Sequence, residues 1–200
     1  MWQYMICACI GYLFGMSNMA LYLSKLNNVD LRGGGSGNLG ASNATMLMGK
    51  KAGIVTFLHD VLKVVIAAFL CGVIFPELQY ALVVSAVAGV LGHIYPFYIK
   101  FKGGKGFASF IGMAITLDWK FGLLMLLCVV IVSFLFDWVV AGTFFHIVLT
   151  PLHFCFANDS VVCLIIACAS VCIFCKHIEN IKRMRAGQES RLRSVLFKKK

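Results

Sequence analysis

Long apolar segments, separated by short polar ones, limit this chain to a narrow group of folds. A helix that crosses a bilayer needs about 20 mostly apolar residues, and 60% of this sequence is hydrophobic. Six stretches reach that length, near residues 1–23, 52–75, 78–99, 119–136, 138–157 and 160–176. A seventh, residues 106–117, would extend only about 18 Å as a helix, so it is counted as a tilted or half-crossing fourth helix. The sequence therefore predicts one all-α membrane domain over residues 1–200, a polytopic bundle of about seven transmembrane helices.

Basic residues are concentrated in three of the polar segments, and this predicts the orientation of the bundle. Residues 24–51 hold four lysines or arginines against one aspartate, and residues 98–105 hold three lysines. Residues 176–200 hold nine lysines or arginines against two glutamates. Because cytoplasmic loops carry an excess of Lys and Arg, all three segments are expected in the cytoplasm. Seven spans satisfy this with the N-terminus outside and the C-terminus in the cytoplasm.

The first polar segment contains a glycine-rich stretch, "GGGSGNLGASN", at residues 33–43. Gly35, Gly37 and Gly40 have the spacing of the dinucleotide-binding fingerprint, but that motif requires a preceding strand, and here a long apolar run precedes it. Glycine still permits positive φ angles and lets backbone N–H groups approach an anion closely. We therefore interpret the segment as an anion-binding loop.

The second polar segment, within residues 92–109, surrounds Lys105 with Gly103, Gly104 and Gly106. Backbone N–H groups beside an ammonium suit a phosphate, whereas lysines in an interfacial loop can equally contact anionic lipid head groups. Two glycine-rich loops in one compartment favour the phosphate, because a single phosphate site rarely needs both. Two phosphorylated ligands, or one ligand held at both ends, are expected.

The third segment, "KHIENIKRMRAGQES", follows the last apolar stretch. If it continues as a helix, His177, Asn180 and Met184 share one face, which would direct an imidazole and an amide toward the other two loops. The alternative is a basic amphipathic tail on the membrane surface. That alternative explains the Arg and Lys residues but leaves His177 and Asn180 unexplained.

Several other polar residues are interpreted as structural. Asp60 and Lys63, three residues apart within an apolar stretch, are predicted to form a buried ion pair, and Glu189 to be a partner for nearby basic groups. The nine cysteines lie in or beside apolar stretches, so we interpret them as small hydrophobic residues rather than a disulfide framework. No metal site is expected, because Cys172 and Cys175 have only one histidine nearby as a further ligand.

Three motifs in this order resemble the bacterial membrane acyltransferases that move an acyl group from acyl phosphate to glycerol 3-phosphate. The first is similar to "GSGNLGASN" followed by Gly49, Gly53, Asp60 and Lys63. The second is similar to "GHIYPF" with "FKGGKGFAS", and the third to "NIKRMRAGQE" preceded by His177. The resemblance covers nearly the whole chain, with the motif segments near residues 30–51, 98–106 and 177–200.

The resemblance implies a seven-helix, multi-pass protein of a bacterial cytoplasmic membrane, with its active site facing the cytoplasm. It implies transfer of an acyl chain from acyl phosphate to the 1-hydroxyl of glycerol 3-phosphate, giving 1-acyl-glycerol 3-phosphate for phospholipid synthesis. No cofactor, metal or nucleic acid would take part, membrane lipid would surround the protein, and a monomer is expected. The phosphate of the donor would take the hydroxyl proton, with His93 or His177 as alternative bases on general chemical grounds.

The resemblance also carries site residues onto this sequence. The candidate catalytic residues are Ser36, His177 and Asn180, of which Ser36 and Asn180 are expected to hold a substrate phosphate or the reacting oxygens. For His93, a hydrogen-bonded residue at a helix end is an equally good interpretation. The candidate substrate-binding residues are Gly35, Gly37, Asn38, Gly40, Asn43, His93, Gly103, Gly104, Lys105, Gly106 and Thr143, the last standing where the family has a serine.

Two family arginines are replaced in this chain. Met46 and Ile178 stand where the family has arginines in the first and third motifs, and methionine cannot supply the bidentate phosphate contact of a guanidinium. Lys50, Lys51 or Arg32 are candidates to compensate. Three alternatives therefore remain: a diverged paralogue using another polyol phosphate, a non-catalytic acyl-phosphate-binding protein, and a transporter, which would give flux without an acyl product.

Overall fold

The computed structural model describes residues 1–157 and 159–197, and within those ranges the chain is mostly α-helical with no strand. The last three lysines of the third basic segment lie outside the described residues. A 3₁₀ turn occupies Phe97–Ile99. The α-helices of the described ranges are α1 (Trp2–Met16), α2 (Met19–Leu26), α3 (Ala41–Met48), α4 (Lys50–Ile74), α5 (Ala81–Ile94), α6 (Phe107–Leu117), α7 (Trp119–Phe136), α8 (Val139–Phe156), α9 (Ser160–Arg185) and α10 (Leu192–Leu196).

Six helical segments of the described chain are long and apolar enough to cross a membrane by length and composition. α1 and α2 together form one of them, and α4, α5 with the following 3₁₀ turn, α7, α8 and α9 form the others. The predicted all-α integral membrane bundle is therefore confirmed. α6 has only 11 residues, so seven complete crossings stay a prediction.

Side-chain caps fix where several of these helices begin. The first apolar stretch breaks at Ser17 and Asn18, where the Asn18 side chain accepts a hydrogen bond from the N–H of Leu21 at 2.8 Å and starts α2. Asp118 caps α7 and Asp159 caps α9 in the same way, each accepting from the N–H three residues on, at 3.0 and 3.1 Å. A cap oxygen satisfies an N–H that has no partner inside the helix.

α5 lies at the centre of the bundle and contacts α1, α4, α6 and α9. α1 approaches it closely through Gly11 and Gly15, where an added Cβ would lie 2.0 Å from the backbone oxygens of Ser85 and Gly89. Small residues permit such close helix approach in membranes. The apolar core around α5 includes Val64, Val90, Ile94, Phe110, Met113, Ile147, Ile166 and Ile173.

The interpretation of the cysteines was wrong for one pair, because Cys155 and Cys163 form a disulfide with their Cα atoms 5.3 Å apart. The short turn between α8 and α9 brings these two residues face to face, which their separation in sequence alone does not reveal. α9 begins beside this disulfide and ends beside the three motif segments, where Asn180 binds Lys105, so the disulfide lies at the end of the bundle opposite residues 33–43. Gln3 and Glu77, whose side chains are hydrogen-bonded at 2.9 Å, lie at the same end as the disulfide.

Candidate active site

The three motif segments meet at one end of the bundle and enclose a cavity of about 520 Å³. The predicted site residues that line it are Gly35, Ser36, Asn38, Gly40, Asp60, His93, Lys105, Gly106, Thr143, His177, Asn180 and Glu189. The predicted site residues that do not line it are Gly37, Asn43, Lys63, Gly103 and Gly104.

Asn43 fixes the shape of the glycine loop. Its side chain is fully buried, its Oδ1 accepts from the N–H of Ser36 at 2.8 Å, and its Nδ2 donates to the carbonyls of Leu31 and Gly34 at 2.8 and 3.3 Å. The loop thus uses the amide of Asn43, and binding of a substrate or phosphate by Asn43 stays a prediction. Gly35 has φ +58°, and a Cβ there would lie 2.2 Å from Asn43 Oδ1, so the turn requires glycine. The arrangement leaves the Ser36 hydroxyl for a ligand.

Two helices begin at the cavity. Gly40 and Ala41 at the start of α3 line it, as do Gly106 and Phe107 at the start of α6. Neither helix has a side-chain cap. The first N–H groups of a helix lack intrahelical partners and carry a partial positive charge, so this end of the cavity suits an anion.

The glycines before Lys105 also have a different role from the predicted one. The N–H of Gly103 donates to the carbonyl of Ile94 at 3.1 Å, and that of Gly104 donates to the carbonyl of His93 at 3.0 Å. These N–H groups are consequently not offered to a phosphate. A Cβ on Gly104 would lie 2.0 Å from His93 Nε2, so the glycines fix the loop tightly against the end of α5 and hold Lys105 at the cavity.

Lys105 belongs to a polar network that joins the second and third motif segments. Its Nζ donates to Asn180 Oδ1, Asn180 Nδ2 donates to Glu189 Oε1 at 2.7 Å, and Arg183 Nε donates to Glu189 Oε2 at 2.7 Å. Burial, followed by the nearby charge of Arg183, lowers the pKa of Lys105 to about 8. Glu189 thus has the structural role predicted for it, and Asn180 holds Lys105 in place.

His177 has a defined tautomer. Its Nδ1 lies 2.8 Å from the carbonyl of Ile173, one turn earlier in α9, and its side chain is only 4% exposed. A carbonyl only accepts hydrogen bonds, so Nδ1 carries the proton in the neutral ring. Nε2 is then available to accept a hydrogen bond or a proton. The imidazole also lies edge-on to Phe144.

His93 belongs to a buried ionic cluster at the edge of the cavity. Lys63 Nζ donates to Asp60 Oδ1 at 2.7 Å, to His93 Nδ1 at 2.8 Å and to the carbonyl of Ser17 at 2.7 Å. The ion pair expected from the spacing of Asp60 and Lys63 is present. His93 has its Nδ1 bound to Lys63 and also lines the cavity, so its roles in binding phosphate or as a base stay predictions. It connects the ion pair to the Lys105 loop.

The other part of the cavity is an apolar groove that the sequence did not indicate, since α7 and α8 are apolar on nearly every side. Thr143 in α8 lies at its polar border and donates its hydroxyl to the carbonyl of Val139 at 3.1 Å, which leaves only acceptor capacity toward a ligand. The apolar wall comes from α4, α6, α7 and α8, through Ile54, Phe57, Leu58, Ile111, Leu126, Val129, Val130, Phe134 and Val140.

The cations around Met46 differ from those expected. Met46 lines the cavity, where its Sδ accepts a hydrogen bond from Ser190 Oγ at 3.4 Å. Arg32 donates instead to the carbonyl of Lys102, and of the three proposed substitutes only Lys50 lines the cavity. Arg183 lines it as well and was missed, although it lies one turn after Asn180 on the same helix.

The fold and the cavity together define a polytopic membrane protein that accommodates an amphiphilic anion. Cationic groups and helix N-termini form one end of the cavity, and an apolar groove between membrane helices forms the other.

Comparison with known proteins identifies the family. The family described as glycerol-3-phosphate acyltransferase matches residues 5–187. Glycerol-3-phosphate acyltransferase 1 of Oceanobacillus iheyensis is 31% identical over 203 residues, covering 98% of each chain. The glycerol-3-phosphate acyltransferase of Thermoanaerobacter sp. (strain X514) is 36% identical over 188 residues, covering 92% of this chain and 93% of that one.

Solved structures agree with this match. The crystal structure of PlsY (YgiH), an integral membrane glycerol 3-phosphate acyltransferase, in its glycerol 3-phosphate form superposes with a TM-score of 0.90 at 30% identity, covering 98% of this chain and 99% of that chain. Its lysophosphatidic acid form gives a TM-score of 0.85 at 30% identity, covering 97% and 98%. The chain belongs to the glycerol-3-phosphate acyltransferase family and is a membrane acyltransferase.

Proposed function

We propose that this protein transfers an acyl chain from acyl phosphate to the 1-hydroxyl of glycerol 3-phosphate, giving 1-acyl-glycerol 3-phosphate for phospholipid synthesis. The observation that carries the proposal is a single cavity in which a cationic end continues into an apolar groove. Acyl phosphate has the same division, with an anionic head and a fatty tail. The glycerol 3-phosphate and lysophosphatidic acid forms of PlsY support the same acceptor and product.

The polar end holds the phosphates. Lys105 supplies an ammonium, and the starts of α3 and α6 supply backbone N–H groups and partial positive charge. The Ser36 hydroxyl, whose own backbone N–H is occupied by Asn43, donates to a substrate oxygen. Asn180 keeps one amide hydrogen beyond its bond to Glu189, and this hydrogen is directed to the reacting carbonyl oxygen as negative charge develops there.

In the reaction, the 1-hydroxyl oxygen of the acceptor attacks the carbonyl carbon of acyl phosphate. A new ester C–O bond forms, and the C–O bond to the phosphate breaks with its electron pair leaving on the phosphate. The departing phosphate takes the hydroxyl proton, and His177 Nε2 is the alternative acceptor of that same proton. Every proton and electron is then accounted for without a cofactor.

The acyl tail occupies the groove between α4, α6, α7 and α8. Phe57 and Ile54 of α4 form one wall, and Val129 and Phe134 of α7 form another. An acyl chain in such a groove contacts side chains as apolar as the bilayer, so the donor can enter from lipid with little cost in burial free energy.

The active site faces the cytoplasm in this proposal, and no nucleic acid or second copy of the chain is needed. The positive-inside rule supports this orientation, because the three motif segments carry most of the basic residues. The Cys155–Cys163 disulfide at the opposite end gives independent support, since disulfides persist in oxidising compartments outside the cytoplasm.

The test uses purified protein with a long-chain acyl phosphate and radiolabelled glycerol 3-phosphate in detergent. We expect labelled 1-acyl-glycerol 3-phosphate to form together with one equivalent of inorganic phosphate. Binding of acyl phosphate without product would identify a non-catalytic binding protein, and flux across liposomes without product would identify a transporter.

Met46 gives a specific reason to consider a second acceptor. A panel of polyol phosphates, assayed at equal concentration, distinguishes the two functions. We expect glycerol 3-phosphate to give the highest kcat/KM, and a higher value for another member of the panel would identify a diverged paralogue.

A further inference from the structure

Arg183 lines the cavity and is held there by the carboxylate of Glu189. Its Nη2 atom is buried and has no hydrogen-bond partner among the residues that the structure describes, while its Nε is bound to Glu189 at 2.7 Å. A buried donor of this kind normally has a partner, because leaving one unpaired costs about 1–3 kcal/mol. Nη2 itself has almost no accessible surface, so a ligand in the cavity contacts the guanidinium through its exposed part; the Arg183 side chain is 27% exposed.

The surroundings of Arg183 connect it to the position of the lost arginine. Glu189, which holds Arg183 Nε, is followed by Ser190, whose hydroxyl donates to Met46 Sδ at 3.4 Å. Met46, Arg183 and Glu189 all line the same cavity. Arg183 of α9 and Met46 of α3 thus line one cavity and are connected through the neighbouring residues Glu189 and Ser190.

From these contacts we infer that Arg183 is the phosphate-binding guanidinium of this chain and recognises the phosphate of the acceptor in place of an arginine at position 46. The inference rests on the proposed function, because it takes the acceptor to be a polyol phosphate. Glu189 holds Nε of the guanidinium, and the part of the guanidinium that lines the cavity donates to a phosphate oxygen.

The charges at the polar end agree with this role. Lys105 and Arg183 are close enough for the Arg183 charge to lower the pKa of Lys105, and the nearby Glu189 carboxylate offsets only part of this repulsion. A phosphate dianion bound between them would remove this repulsion. Lys50 is a weaker candidate, because it is exposed and its Nζ lies 5.7 Å above the ring of Phe197.

The test removes the guanidinium at position 183 and then introduces one at position 46. We expect Arg183→Met to raise the KM for glycerol 3-phosphate by about ten- to a hundredfold, the loss of one charge-assisted hydrogen bond, with the KM for acyl phosphate unchanged. Adding Met46→Arg to this variant should restore most of the lost affinity, because it returns a guanidinium from the other wall. Arg185→Met is the matched control, since Arg185 is exposed on the same turn and does not line the cavity.

Each other outcome overturns the inference. An unchanged KM in Arg183→Met removes Arg183 from the site. A loss of activity that Met46→Arg does not rescue means that Arg183 acts only through Glu189. If Arg183→Met does not fold, Arg183→Lys, which can still pair with Glu189, replaces it in the same pair of measurements. A raised KM in Lys50→Met with none in the Arg183 variants would assign the role to Lys50.

Failure of the proposed function is distinguished by a binding measurement that needs no turnover. Calorimetric titration of the parent and the Arg183→Met variant with glycerol 3-phosphate reports the phosphate contact directly. A parent that makes no acyl product yet loses affinity on Arg183→Met would refute the acyl transfer and keep the inference. A parent that makes acyl product, with equal affinity of both proteins for glycerol 3-phosphate, would support the acyl transfer and refute the role of Arg183.

Discussion

Replacing Gly104 by alanine should disable the site through His93 rather than through a phosphate. A Cβ at position 104 would lie 2.0 Å from His93 Nε2 and 2.9 Å from the carbonyl oxygen of Leu39. His93 cannot turn away freely, because its Nδ1 is bound to the buried Lys63 at 2.8 Å. Either the core absorbs the clash, which costs about 1–3 kcal/mol for overpacking, or the loop moves.

Movement of the loop would carry Lys105 with it. A displacement of about 1 Å at a catalytic group can reduce turnover on the order of a hundredfold, so we expect kcat for acyl transfer to fall by about that factor and the thermal unfolding midpoint in detergent to decrease. Gly72→Ala is the control, since its Cβ meets nothing closer than 3.4 Å and alanine is favoured over glycine inside a helix by about 0.5–1 kcal/mol.

A double-mutant cycle with His93→Ala identifies the cause. If the imidazole is the obstacle, Gly104→Ala should lower kcat and the unfolding midpoint much less in the His93→Ala background than in the parent. Kinetics and midpoint for Gly104→Ala that match those of Gly72→Ala would refute this reasoning. A selective increase in the KM for the acceptor at full stability would instead return Gly104 to direct phosphate binding.

Four further outcomes are expected. Asn43→Ala should lower stability by about 1–3 kcal/mol, seen as a lower unfolding midpoint, because it leaves buried loop groups unpaired; an unchanged midpoint would contradict this. The kcat/KM for the acceptor should fall as pH rises through about 8, because Lys105 loses its proton there. A Lys105→Arg variant that still binds the acceptor should show no such decline. A decline that persists in this variant would assign the pH dependence to another group. Lys63→Met should destabilise the bundle by about 3–5 kcal/mol by leaving Asp60 buried without its partner, and Asp60→Asn should recover part of that loss; additive losses would argue against the pair. A cysteine at Ser194, in a background cleared of native cysteines, should resist an impermeant thiol reagent in intact cells, and ready labelling would reverse the orientation.

Local features of the sequence were sufficient to predict the helices and the chemistry at their ends. In lipid every backbone polar group must be satisfied within its own segment, so an apolar run of sufficient length predicts a helix without knowledge of its neighbours. Contacts between side chains only a few residues apart in the sequence were also predictable. The Asp60–Lys63 pair is one case, because i, i+3 residues face the same side of a helix.

Which polar atoms remain free for a ligand was decided only by the tertiary structure. The N–H groups of Gly103 and Gly104 look available in the sequence, yet the end of α5 takes both of them. Asn43 is bonded within its own loop. Arg183, which in the sequence looks like one more cation of a basic tail, lines the cavity. Hydrogen bonding is a matter of distance and direction between groups far apart in the chain, and those are set only when the helices have packed.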